Sequence, residues 1–68
     1  MNIWDYNGEK NIRIKTKTGN EYIGDVVSVF DAEETYDSED SITIVTDLGQ
    51  YIGFFPSEIE SIERMFSL

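Results

Sequence analysis

Apolar and polar residues alternate in short blocks along this chain, and most blocks end in a turn signal. The cleanest block is residues 11–17, NIRIKTK, where Ile12, Ile14 and Thr16 share one side and Arg13, Lys15 and Lys17 the other. A period of two predicts a half-buried strand. After the turn composition TGNE, residues 22–30, YIGDVVSVF, predict a second, β-branched strand. Residues 41–47, SITIVTD, predict a third strand with Ile42, Ile44 and Val45. Residues 47–50, DLGQ, read as a turn, and residues 51–55, YIGFF, as a fourth strand. Pro56 ends that strand, because proline has no N–H to give a ladder. A helical turn from Pro56 to Ile59, with Ser57 as its cap, is predicted next, followed by a short closing strand. Ile59, Ile62 and Phe66 also fit helical spacing, so the type of this last segment stays open.

The register of the first hairpin follows from keeping the apolar set on one face. Pairing Ile14 with Val26 aligns Ile12, Ile14, Tyr22 and Val26, and sets Thr16 opposite Gly24 and Lys15 opposite Asp25. It leaves a three-residue loop, Gly19-Asn20-Glu21. Val27 and Val29 then fall on the second face, which marks a strand that is central or sharply bent. Gly24 inside it fits a bend or a close backbone approach. Residues 1–9 carry Ile3, Trp4 and Tyr6 ahead of an Asn7-Gly8 turn, and predict a segment packed over the core, as a helical turn or a strand. Residues 31–40, DAEETYDSED, hold six acids in ten and read as a solvated loop. Five short strands with turns at roughly 8–12-residue spacing predict an all-β chain: a small five-stranded SH3-like barrel in a single domain, residues 1–68, with at most one short helical turn. Closure would hide most strand edges.

Composition narrows the function classes. The 68 residues include no cysteine and no histidine, so disulfides, thiolate metal sites and the usual general base are absent. No serine or threonine has a histidine to activate it, no glycine-rich phosphate loop occurs, and the paired carboxylates carry no pocket signal. The expectation is no enzyme, no catalytic residue, no cofactor, no metal site and no small-molecule substrate. Fourteen acids against five bases give a net charge of −9, which disfavours phosphate backbones and anionic membranes. Apolar residues at 40% and aromatics at 13% favour a folded core over disorder. No apolar run is long enough to span a membrane, and the first residues lack the pattern of a signal peptide, so the expectation is a soluble cytoplasmic protein.

The stretch from Ile12 to Asp31 resembles the first signature of the Sm and Sm-like family. Gly19 stands as the turn glycine, Tyr22 as the hydrophobic position, Gly24 as the second glycine, Val26 as the next apolar site and Phe30-Asp31 as the closing aromatic-aspartate pair. The end of the chain, an apolar strand, a polar turn and EIESI, is also similar to the end of that fold. The resemblance covers roughly residues 11–65. It implies a five-stranded barrel that assembles into rings by pairing edge strands and commonly binds single-stranded RNA. Of the RNA-contacting positions, Asp31 is present, the asparagine is Thr35, and the arginine-glycine pair is replaced by Leu48-Gly49. Leucine offers neither the fork nor the stacking plane of arginine, so the departures weigh against RNA contact.

The expectation is therefore a non-catalytic Sm-like interaction or assembly module, binding a protein or its own copies. Two alternatives stay open. One is an RNA binder using a different surface, with Asp31, Gly49, Arg13, Lys15 and Lys17 as contacts. The other is an acidic nucleic-acid mimic that blocks a basic protein. Each candidate also has a plainer reading. Asp31 is an RNA contact or a loop carboxylate accepting backbone hydrogen bonds. Arg13, Lys15 and Lys17 are phosphate contacts or an outward face balanced by Asp25 and neighbouring acids. Asp31, Glu33, Asp37 and Glu39 offer oxygen ligands for a divalent cation, but without the glycine and spacing of a calcium loop, and read better as a solvated charge run. Trp4, Tyr51, Phe54 and Phe55 form a stacking platform or belong to the core. YIGFF is apolar at both parities, so Tyr51, Ile52, Phe54 and Phe55 are the candidate subunit interface.

Overall fold

The computed structural model describes residues 2–65. The chain is all-β, with strands β1 (Ile12–Thr16), β2 (Glu21–Phe30), β3 (Ser41–Thr46), β4 (Tyr51–Phe54) and β5 (Ile59–Arg64). They form one antiparallel sheet in the order β4-β3-β2-β1-β5. Three short helical segments join them: a 3-10 turn at Ile3–Tyr6, α1 at Ala32–Thr35 and a 3-10 turn at Pro56–Glu58. The helical content thus exceeds the one turn expected, because short polar side chains cap backbone N–H groups at two of these places. Asn2 accepts from the Trp4 N–H, and Asp31 from the Glu33 N–H. The closing segment is a strand, as the alternation suggested; Phe66 lies outside the described residues.

The core is the inward side of every strand. Ile12, Ile14, Ile42 and Ile44 are fully buried, with Val26, Phe54, Ile59 and Ile3 around them. Tyr22 of β2 meets Phe54 of β4 across β3, with ring centroids 5.3 Å apart, so the sheet curls upon itself. Gly24 permits the curl. A Cβ there would lie 2.3 Å from the Val45 carbonyl oxygen, which is the close backbone approach expected of that glycine.

Two expectations are corrected. Ile14 pairs with Tyr22, not Val26, Ile12 faces Gly24, and Lys15 faces Glu21. The loop is Lys17-Thr18-Gly19, closed by the Thr16 N–H donating to the Asn20 carbonyl at 2.9 Å. Gly19 takes φ +92°, the left-handed place that glycine fills without strain. The partner shift of four residues is even, so the apolar set keeps its face. Val27 and Val29 do not share a second face either. A register shift between Val26 and Ser28 sets Val29 opposite Ile42 and against the core, and leaves Val27 exposed.

Closure is also incomplete. Among the described residues no ladder joins β4 to β5, so both keep an open edge. Alternation tells which groups face outward. The Gln50 carbonyl accepts from the Thr46 N–H, which turns the backbone of Tyr51 and Gly53 away from β3. The Met65 N–H donates to the Asn11 carbonyl, which turns Ile62 and Arg64 away from β1. Among the described residues, no helix is long and apolar enough to cross a membrane.

Candidate functional site

The residues singled out from sequence do not converge. Asp31 precedes α1 near the Ser41 end of β3, and Leu48-Gly49 form the turn beyond its Thr46 end. At about 3.3 Å per residue, the two sit on the order of 20 Å apart. Asp31 serves as helix cap, accepting from the Glu33 N–H at 2.8 Å, which is its plainer reading. Thr35 lies in α1, its hydroxyl turned to its own helix's carbonyls.

The basic stripe lies on the outward face of β1 between two acidic neighbours. Arg13 Nη2 pairs with Glu63 Oε2 of β5, and its Nε lies 3.7 Å from Glu21 of β2. Lys15 Nζ is 3.5 Å from Glu60. Among the described residues, Asp25 forms no ion pair in this balance. It accepts from the Asn11 N–H at 2.9 Å, where Asn11 turns the chain at φ +57° into β1. Lys17 has no ion-pair partner among the described residues; its backbone N–H donates to the Glu58 carbonyl at 2.9 Å. Exposed pairs of this kind contribute under about 1 kcal/mol each. Their effect is to fill the stripe's charge.

The acidic segment is not a free loop. Its last two carboxylates hold one end of the molecule. Asp40 accepts from the Trp4 indole N–H and from the Ala32 backbone N–H, both at 2.8 Å. Glu39 accepts from the Ser57 N–H at 3.0 Å and its hydroxyl at 2.6 Å. Ser57 is thus held by Glu39 and is not the cap of its turn, which starts after Phe55; the Phe55 N–H donates back to Glu58 at 3.0 Å. Asp25, Asp31, Glu39, Asp40 and Glu58 all accept backbone N–H groups, so part of the acidity maintains bends. Composition hid this, because a carboxylate that caps a turn looks the same as one facing solvent. Among the described residues, no three His, Cys, Asp or Glu are grouped to hold a metal ion.

The indole donor, then the Ala32 amide, hold the Asp40 carboxyl below the usual aspartate value, against a smaller opposing effect of desolvation. Because the folded value is the depressed one, the stability this contact contributes is fully present above the unfolded aspartate pKa of about 3.9, and the contact itself is lost only as pH falls through the lower folded value. Trp4 is the chain's one tryptophan and reports it directly. Its emission should hold steady from neutral pH through the ordinary aspartate range at about 3.9 and shift to the red only as pH falls through the lower folded value. Asp40→Asn should remove that acid transition while the sheet stays intact by circular dichroism.

The aromatic platform is dispersed. Phe54 is core, only 4% exposed, so its side chain is unavailable to a second subunit. Ile52 and Phe55 are half-buried. Tyr51, at 72% exposed, is the one open aromatic of β4, and it stands across from Val45 on the outer face. Trp4 lies at the Asp40 end instead. Sequence reasoning missed a shallow groove of about 240 Å³ between the start of β2 and the β3–β4 hairpin. Its lining includes Glu21, Tyr22, Ile23, Asp47, Leu48 and Ile52. The signal for it was Leu48, an apolar residue inside a turn that needs none.

Comparison with protein-family models, curated proteins and solved structures finds no match for this chain.

Proposed function

We propose that this protein is a non-catalytic, Sm-like assembly module whose copies join through the edges of β4 and β5. The observation that carries the reading is the pair of open edges flanking one curled sheet. Outward backbone groups of Tyr51 and Gly53 stand on one edge, and those of Ile62 and Arg64 on the other. An unpaired edge is a template for another strand. The two edges belong to opposite ends of the strand order, so joining them is a head-to-tail contact that closes into a ring when the rotation permits. The resemblance of residues 12–31 to the Sm signature supports the same reading.

The RNA alternative draws less support, since Arg13 and Lys15 already face Glu21, Glu60 and Glu63. The acidic-mimic alternative loses those carboxylates and the five that accept backbone N–H groups. Light scattering on a size-exclusion column tests the assembly. The expected result is a mass several times the 7.8 kDa of one chain. A single-chain mass at high concentration would reject it. Oligo-U or oligo-A binding at low salt would reinstate the RNA reading.

A further inference from the structure

The groove beside the β3–β4 hairpin has a composition that the fold does not require. Leu48 is 86% exposed at the tip of a turn. The turn is closed by backbone bonds, Gly49 N–H to the Thr46 carbonyl and Thr46 N–H to the Gln50 carbonyl, both 2.9 Å, and by the φ of +78° at Gly49. None of these uses the leucine side chain. Ile23, 43% exposed, lines the same groove, with half-buried Ile52. Among the described residues, the charged groups of the lining are Glu21 and Asp47, and no basic residue lines it. Glu21 keeps a 3.7 Å approach to Arg13 with its side chain 52% exposed, and Asp47 has no ion-pair partner among the described residues.

A lining that combines exposed Leu48 and Ile23 with two carboxylates, on a chain of net charge −9, selects its occupant by charge. At about 240 Å³ the groove is smaller than the roughly 300–1,000 Å³ of small-molecule pockets, and suits one or two side chains of an extended segment. We propose that it docks a cationic peptide segment of a protein partner, with an apolar side chain against Leu48 and Ile23 and a lysine or arginine between Glu21 and Asp47. This goes beyond the assembly reading above and does not rest on edge pairing, so a monomeric chain that binds such a peptide separates the two.

The test is titration of the ¹⁵N-labelled full chain with acetyl-Arg-Leu-Lys-Leu-Arg-amide, followed by amide chemical shifts. Saturable shifts confined to the neighbourhood of Ile23, Asp47, Leu48 and Ile52 are expected. They should be absent with the Glu-Leu-Glu-Leu-Glu and Arg-Ser-Lys-Ser-Arg peptides. Asp47→Lys and Leu48→Ser, both exposed turn substitutions, should each weaken binding roughly tenfold. Four results would overturn the proposal. These are no shifts at millimolar peptide, an equal response to the serine peptide, and shifts spread over residues 31–40. The fourth is movement of the groove residues with chain concentration alone, which would assign the groove to a second copy.

Discussion

Gly24→Ala should lose about 3 kcal/mol or more, enough to lower the melting temperature by roughly 12–24 °C in a domain of this size. The added methyl would stand 2.3 Å from the Val45 carbonyl oxygen and 2.9 Å from its carbon, closer than atoms can pack. The obstacle is backbone of the neighbouring strand and not a movable side-chain tip. Relief therefore means separating β2 from β3 beside the Gly24–Thr46 pair, where the sheet curls. The usual preference for alanine over glycine in a strand, about 0.5–1 kcal/mol, is too small to offset this. Gly53→Ala is the internal control. Its methyl would meet only Thr43 Oγ1 at 3.6 Å, an ordinary contact, so the variant should be as stable as wild type or up to about 1 kcal/mol more stable. Equal melting temperatures for the two variants would show that the close approach is absent.

Ile44→Ala should cost about 2–5 kcal/mol, the range for deleting most of a fully buried aliphatic side chain. Ile44 is 0% exposed and sits between Val26 of β2 and Ile52 of β4. Its neighbours come from both sides of the same sheet, which cannot collapse on the void without losing its pairing. A chain of 68 residues has about 3–10 kcal/mol of stability to lose, so this variant should be partly or wholly unfolded at 37 °C. Ile23→Ala, the same change at an outward position 43% exposed, should stay within about 0.5 kcal/mol of wild type. Urea unfolding followed by Trp4 emission measures both.

These positions show what could be read in advance. The strands, the inward set of Ile12, Ile14, Tyr22 and Val26, and the close approach at Gly24 followed from period-two spacing and from a glycine placed where a strand wants a side chain. The hairpin partner was not legible. Ile14 against Val26 and Ile14 against Tyr22 put the same faces inward, and only the left-handed place of Gly19 separates them. The bulge at Val27 was hidden for a related reason, since an extra residue makes an inward valine look outward. The acids at 39 and 40 were read by their charge, while their work is to hold Ser57 and Trp4. At the candidate sites, Asp31 caps α1 and Arg13 and Lys15 pair with neighbouring glutamates, roles that the charge pattern alone does not separate from contacts with a partner. The groove depended on the sheet bringing the start of β2 beside the β3–β4 turn, which no local pattern encodes.

The most direct test of the account is amide hydrogen exchange along the two sheet edges. In an assembly joined edge to edge, the N–H groups of Tyr51, Gly53, Ile62 and Arg64 find acceptors on a neighbouring copy. They should exchange slowly at high protein concentration and faster on dilution, with Ile44 protected throughout. Rapid exchange of all four at every concentration, with Ile44 still protected, would contradict assembly through these edges.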